Sequence, residues 1–367
     1  MTKSLVQKYV GQILDIEADR PYIDNINNTR PMLFFRGQSC SYGDTDLSAS
    51  LYRNPKGEQS LIHEYTQMNS SEFLTMRNNG ERLAQMQHNG LNTRLLDITK
   101  NVLVALFFAV EDSDFDNKDG IVWTFVTNNI TKENEFKQSE EPFPIYLHYK
   151  YYDSDLLEIL STLCTLKDSS KAELWENINN FRKFLSEHNL ARYYYQLYLD
   201  SLTNRIGTAT VHQNSKYARP LQIPLKEYDL SLRKTVIEEY NDLNDSYSSK
   251  ELYKEICNDI GSFDRVIAFD DLGTPFVFGA PFSNERIRAQ SAYFIFEPFF
   301  NATTGEEAGE RMRTPLLNNS INQVIIDSGD KCNLRKELDE FYSINRGTMF
   351  PDHFEGAKYV NNLPRLQ

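Results

Sequence analysis

Gln87-His88-Asn89-Gly90-Leu91-Asn92-Thr93-Arg94-Leu95-Leu96-Asp97-Ile98-Thr99, followed by Lys100-Asn101-Val102-Leu103-Val104-Ala105-Leu106-Phe107-Phe108-Ala109, is the most informative run in this chain. Upstream of it, Glu81–Asn89 predicts a helix that stops at Gly90, a residue able to take the left-handed cap conformation. Downstream, Thr99–Glu111 is apolar almost all round, which predicts a buried helix with Thr99 as its N-cap. Between the two helices, Gln87, His88, Thr93, Arg94, Asp97 and Thr99 gather amide, imidazole, hydroxyl, guanidinium and carboxylate groups. Arg94 and Asp97 stand at i, i+3, a spacing at which they could pair. A blander reading makes Asp97 and Thr99 caps of the apolar helix, with Arg94 neutralising Asp97. It explains two or three of these residues but not the crowding of six.

Working outward, Leu5, Tyr9, Ile13 and Ile16 recur at helical spacing over Ser4–Ile16. Met32, Leu33, Phe34 and Phe35 form an unbroken apolar run, a buried strand that ends at Arg36-Gly37. An arginine at a strand end offers a planar fork of donors suited to phosphate or carboxylate. The glycine beside it lets a ligand or a second backbone come close. The competing reading is an arginine ion-paired at the strand end. Residues 58–78 read as one helix, and Gly120–Val126 as a strand.

From 150 to 205 the chain lacks the Gly and Pro punctuation of its flanks and carries helical periodicity through Leu156, Leu160, Leu163, Trp175, Ile178 and Phe181, then Tyr194, Leu197 and Leu202. Another helical stretch spans 229–260. Strands are expected at Arg265–Phe269, Arg288–Phe296 and Val324–Ile326, and a last helix over Cys332–Ser343. In the late strand, Arg288 and Gln290 share one face by period-two alternation, as a site or as a half-exposed edge. Thr348-Met349-Phe350-Pro351-Asp352-His353 near the end says little alone.

Composition narrows the classes. The 367 residues are 40% hydrophobic and 25% charged, with 21 Tyr and 23 Phe, which supports a packed core. The net charge of −13 argues against non-specific nucleic-acid binding. No apolar run approaches the length of a membrane span, and Met1–Gln12 lacks the apolar region of a signal peptide. Cys40, Cys164, Cys257 and Cys332 are scattered, and histidines are dispersed, so no metal site is expected. These features describe a soluble cytoplasmic protein with reduced thiols.

Taken together and in order, Phe35-Arg36-Gly37, the 87–109 run, Arg286-Ile287 with Ala289-Gln290, and Phe350-Pro351-Asp352 resemble the FRG-domain family. The run matches the family pattern at Gln87, His88, Gly90, Thr93, Arg94, Leu95, Leu96, Asp97, Thr99, Asn101, Ala105, Leu106, Phe108 and Ala109. Ala292 stands where the family often has glycine, and Ile98 where an aromatic is common. The order of motifs is also similar, more remotely, to ADP-ribosyltransferases. That likeness implies NAD as substrate, Arg36 on its phosphates, Thr99 on the ribose segment and Gln290 in the place of the late-strand glutamate. Gln290 is neutral there, so Asp97 or Glu285 would have to supply a charge.

The expected fold is α+β: a mixed, mainly antiparallel sheet with flanking helices and a helical insertion, of ADP-ribosyltransferase-like kind if the remoter likeness holds. The expected segments are a lead-in over 1–30, a first domain part over 31–149, a helical insertion and connection over 150–260, and a second part over 261–367. The expected site has Asp97, Gln290 and His88 as catalytic groups, and Arg36, Gly37, Gln87, Thr93, Arg94, Thr99 and Arg288 binding a small nucleotide ligand. Three functions compete: an NAD-using transferase or glycohydrolase, a non-catalytic nucleotide-sensing or interaction module in phage defence or a toxin system, and a metal-free phosphodiesterase with His88 as base and Arg94 as clamp. The helical insertion is the expected surface for a protein partner.

Overall fold

The structure, a computed structural model, describes residues 4–18, 32–53, 57–74, 76, 78–127, 150–151, 154–188, 230–261, 263, 267, 269–273, 275–279, 285–318 and 323–362. Seven strands form one sheet: β1 (Met32–Gln38), β2 (Leu95–Thr99), β3 (Gly120–Thr127), β4 (Lys150–Tyr151), β5 (Phe276–Phe278), β6 (Ala292–Phe296) and β7 (Gln323–Ile326). Their order is β4-β5-β6-β2-β1-β3-β7. Among the described residues only β4 and β5 run parallel; the other pairings are antiparallel. The mixed, mainly antiparallel α+β fold is therefore as the sequence predicts.

Alternation along the strands sorts the core. One face carries Phe34, Leu96, Ile98, Trp123, Val277 and Ile295. It lies under the segment Leu47–Ala49, the short helix α2 (Ser50–Arg53) and a later helix that supplies Ala308 and Met312. The opposite face divides in two. Phe35, Val122, Val324 and Ile326 pack with α1 (Leu5–Ala18) and α6 (Val102–Val110). Leu95, Phe276, Phe278, Phe294 and Phe296 pack with α5 (Asn79–His88), α7 (Ser154–Thr165), α8 (Asp168–Glu187) and α10 (Tyr247–Ile260). Between α8 and α10 lies α9 (Leu230–Asn244). Tyr194, Leu197 and Leu202 lie outside the described residues.

The helices of 154–260 thus build one apolar layer with the sheet, and do not sit at the periphery. Leu160, Ile178 and Ile256 are fully buried against the aromatic strand face. Deleting 154–260 behind a short Gly/Ser bridge is therefore expected to bare Phe276, Phe278, Phe294 and Phe296 and give an aggregating product. A soluble, cooperatively melting deletion protein would sink this reading.

Several local expectations give way to tertiary pairing. Thr99 does not cap the apolar helix: 95–99 is β2, with Leu95↔Phe296 through Thr99↔Ala292 in register with β6. The cap is Asn101, whose side chain accepts from the Leu103 N–H at 3.0 Å. Arg288 and Gln290 do not share a strand face. Arg288 lies in the short helix α11 (Glu285–Ala289), and Gln290 follows it. The helix expected over 58–78 breaks into α3 (Glu58–Met68) and α4 (Ser70–Phe73). Phe269 opens a 3-10 turn, while most of the strand expected at 265–269 lies outside the described residues. The last part holds α12 (Gly305–Asn318), α13 (Lys331–Tyr342), α14 (Arg346–Met349) and α15 (His353–Asn362).

Among the described residues no helix is long and apolar enough to cross a membrane. No group of three His, Cys, Asp or Glu among them could hold a metal ion.

Candidate functional site

The informative run becomes a helix end, a turn and a strand. Gly90, with φ of +89°, ends α5. This turn brings Gln87 back onto β2, where its Nε2 donates to Asp97 Oδ2 at 2.8 Å. Thr93 Oγ1 donates to Gln87 Oε1 at 2.6 Å and accepts from the Leu95 N–H at 3.1 Å. Gln87 and Thr93 therefore position Asp97, whose side chain is the exposed one in an otherwise buried strand.

His88 sits one residue on, edge-on to Phe294 with ring centroids 5.2 Å apart. Burial pulls its pKa below the usual histidine value; Asp97 opposes this and Arg286 adds to it. The imidazole is neutral at pH 7, and its buried Nε2 has no partner among the described residues.

The late block joins the same face. Thr99 Oγ1 donates to the Gln290 carbonyl at 2.7 Å, and Gln290 Nε2 donates to the Met349 carbonyl at 3.0 Å. Phe350 lies between the guanidinium groups of Arg286 and Arg346, 4.7 Å and 5.2 Å from its ring centroid. Thr99, Gln290 and Phe350 thus tie β2, α11 and the C-terminal helices together. Gln290 is buried and its amide is committed, so the ribose-positioning role expected of it has no geometric support. Arg288 is exposed on α11.

Arg94 does not pair with Asp97. Its Nε donates to Glu58 Oε1 at 2.7 Å and its Nη1 to the Tyr52 hydroxyl at 2.7 Å. Its guanidinium lies 4.0 Å from the Phe300 ring centroid. Lys171 Nζ completes the cluster on Glu58 Oε2 at 2.7 Å. All three ionic side chains are buried. Burial pushes the Glu58 carboxyl up, but Arg94 and Lys171 more than offset it and leave its pKa below the ordinary value. Arg94 is thus a structural ion pair joining the turn before β2 to α3 and α8, not a clamp facing a ligand.

Gly37 is likewise structural. A Cβ there would stand 1.9 Å from the Ala105 carbonyl oxygen and 2.6 Å from the Ala109 nitrogen. The second backbone that comes close is α6.

Arg36 remains. It projects from the other face of the sheet, beside Phe34 and opposite Trp123 in register. The ladder between β1 and β2 is short, with Phe35↔Thr99 in register. Beyond it, Arg36 Nη1 donates to the Asp97 main-chain carbonyl at 2.7 Å. Arg36 Nε is buried without a partner among the described residues. Burial lowers the Arg36 pKa, Asp97 opposes, and Arg53 lowers it further. Guanidinium pKa values lie so high that it stays charged.

Two neighbours of Arg36 escaped the sequence reading. Arg53, exposed at the end of α2, brings a second guanidinium. Glu297, fully buried just after β6, accepts from the Ala49 N–H on Oε2 at 3.1 Å. Its Oε1 has no partner among the described residues. Burial drives its pKa up to about 8, against the Ala49 N–H and the charges of Arg36, Arg94 and Arg53. At neutral pH it mostly carries a proton. A signal existed: Glu297-Pro298 directly follows the apolar run Tyr293-Phe294-Ile295-Phe296, a charged group at the end of a buried strand.

The expected residues are thus divided by the sheet. Gln87, His88, Asp97, Thr99 and Gln290 lie on the α5 and α6 face, and Arg36 with Arg53 and Glu297 on the other. Asp97 links the two sets: Gln87 holds its side chain, and its main-chain carbonyl accepts from Arg36. Two surface cavities lie elsewhere. One of about 510 Å³ is lined by Pro351, His353 and Val360. One of about 440 Å³ is lined by Ile62, Phe73, Arg82 and Met86. Neither includes Arg36, Asp97 or Glu297.

Residues 31–118 match the family model described as FRG domain. The chain carries an FRG domain. The matched span contains β1, α5, β2 and α6, so the FRG domain supplies Arg36, Gln87, His88 and Asp97, while Glu297 and Gln290 come from outside it. No curated protein and no solved structure matches the chain.

Proposed function

We propose that this FRG-domain protein binds a nucleotide-like ligand, of the class of NAD or ADP-ribose, through phosphates held by Arg36 and Arg53. The observation that carries the reading is Arg36 itself: a half-buried guanidinium beside the short β1–β2 ladder, with its Nε unpartnered among the described residues, a second arginine nearby, and a protonated acid as neighbour. Two guanidinium groups with no carboxylate bonded to either among the described residues suit a diphosphate. The reading assigns a ribose hydroxyl to Asp97, which Gln87 holds and whose main-chain carbonyl anchors Arg36.

Binding is favoured over bond cleavage. Gln290 and Thr99 are engaged in holding the fold, and Glu297 is buried and largely uncharged, which leaves Asp97 as the one exposed acid of the proposed site among the described residues. The protein is then a nucleotide-sensing module, with NAD-using transfer or hydrolysis as the rival.

Titration calorimetry with NAD, ADP-ribose, ATP and cyclic dinucleotides tests this. Arg36→Ala is expected to remove binding while the melting temperature moves little, and Arg36→Lys to recover little of it. Asp97→Asn is expected to melt like wild type, because Asp97 is exposed, and to bind more weakly. Unchanged affinity in Arg36→Ala would refute the site. Release of nicotinamide from NAD by the purified protein would replace sensing with catalysis.

A further inference from the structure

We propose that Glu297 is the specificity-determining acid of this phosphate site: with its proton it leaves Arg36 and Arg53 free for a diphosphate, and without it it becomes their internal counter-ion and excludes the anion. This rests on the phosphate reading above. It concerns a residue outside the FRG match, on a strand end that the 87–109 run does not touch.

The geometry is that of a carboxyl held but not neutralised. Glu297 is fully buried. The Ala49 N–H fixes one oxygen, and the Tyr52 hydroxyl fixes the main chain by donating to the Glu297 carbonyl at 2.6 Å. The Glu297 N–H donates to the Arg94 carbonyl at 3.1 Å. The carboxyl is therefore locked against α2 and the start of β2 and cannot swing to water. Yet its second oxygen has no partner among the described residues, an unusual state for a buried polar atom.

The charged and titratable groups acting on Glu297 come from each element packed against it: Arg36 from β1, Arg53 and Tyr52 from α2, and Arg94 from the turn before β2. Arg94 already has Glu58. The two arginines left without a carboxylate partner among the described residues are Arg36 and Arg53. With Glu297 protonated, half-buried Arg36 and exposed Arg53 offer two positive charges to an anion. With Glu297 ionised, a buried negative charge competes with any entering phosphate at short range and in a poorly screened medium. Arginines do not titrate below pH 12. Burial raises the Tyr52 pKa, and the His88 pKa lies below its usual value, so neither changes charge between pH 7 and 9.

Affinity should therefore be flat below pH 8 and fall as pH rises above it. The sign follows from linkage, since an anion binds best to the form that holds the proton. ADP-ribose is the probe, because its diphosphate linkage has no proton to lose in this range. Calorimetry on wild type is expected to show affinity falling about tenfold from pH 7 to 9, with a profile set by one group. Glu297→Gln, neutral and of the same shape, is expected to bind at pH 9 as it does at pH 7. A purely structural Glu297 would change stability without changing this slope. If Glu297→Gln does not fold, wild type alone decides: ADP-ribose binding at pH 8.5, measured in buffers of different ionisation enthalpy, must take up protons. Equal slopes in the two proteins, or no proton uptake, overturn the role of Glu297 and leave the phosphate site standing. Failure of wild type to bind ADP-ribose at pH 7 overturns the phosphate reading and this inference with it.

Discussion

Arg94→Ala is expected to lower the stability of the protein by about 3–5 kcal/mol, the range for removing one partner of a buried ion pair. The guanidinium holds Glu58 and the Tyr52 hydroxyl from inside the protein, and Glu58 in turn holds Lys171. Removing it leaves Glu58 with one cation in place of two, and the Tyr52 hydroxyl oxygen without the Arg94 donor. The damage reaches the site indirectly, because Tyr52 also fixes the Glu297 carbonyl. Urea unfolding followed by circular dichroism reads the change. Replacing Arg94, Glu58 and Lys171 together by apolar residues of similar size should restore much of the loss, since the pair costs desolvation as well as giving attraction. An Arg94→Ala protein within about 1 kcal/mol of wild type would place this pair with weak exposed ones and reopen a ligand role for Arg94.

Gly37→Ala should abolish folding, or leave a protein with a sharply lower melting temperature. The added Cβ meets backbone: the Ala105 carbonyl oxygen at 1.9 Å and the Ala109 nitrogen at 2.6 Å. No side-chain rotation relieves such contacts. β1 and α6 would have to separate across the cluster that holds Phe35, Val104, Ala105 and Val122. Gly120 repeats the constraint on β3, where a Cβ would stand 2.3 Å from the Ala109 carbonyl oxygen. Inserting one methyl into a packed core typically costs about 1–3 kcal/mol, and backbone contacts put this case at or above the top of that range. Soluble yield and a thermal melt check it. A Gly37→Ala protein that melts with wild type would show that α6 is not held at this distance by the glycine.

These two residues show why a motif is a poor map of a site. Arg94 and Gly37 stand out in the run and in the aromatic-Arg-Gly strand, and both stand out for packing reasons. An arginine buried beside Glu58, and a glycine pressed against α6, are as sharply specified as ligand contacts, so the sequence gives no way to tell them apart. Glu297 was missed for the converse reason. Its importance depends on Arg36 and Arg53 arriving beside it from β1 and α2, far away in the chain.

Much was legible from local patterns. Helical spacing gave α1, α5, α7 and α8; the apolar runs gave β1 and β3; and Gly90 marked the end of α5, whereas β1 runs past Arg36 to Gln38 through its pairing with β3. Such features depend on residues within a few positions of each other, where 3.6- and 2-residue periods are visible. Thr99, Arg288 and Gln290 were misplaced because 95–99 is a strand only through its pairing with β6, and Arg288 is helical in spite of the apolar run that follows it. Partner choice was legible for none of these side chains. Which face of the sheet each residue takes, and which arginine finds a carboxylate, are fixed by strand order and register. Those arise from contacts between residues far apart in the chain, 36 positions for Arg94 and Glu58 and 61 for Arg36 and Asp97, and no local spacing encodes them.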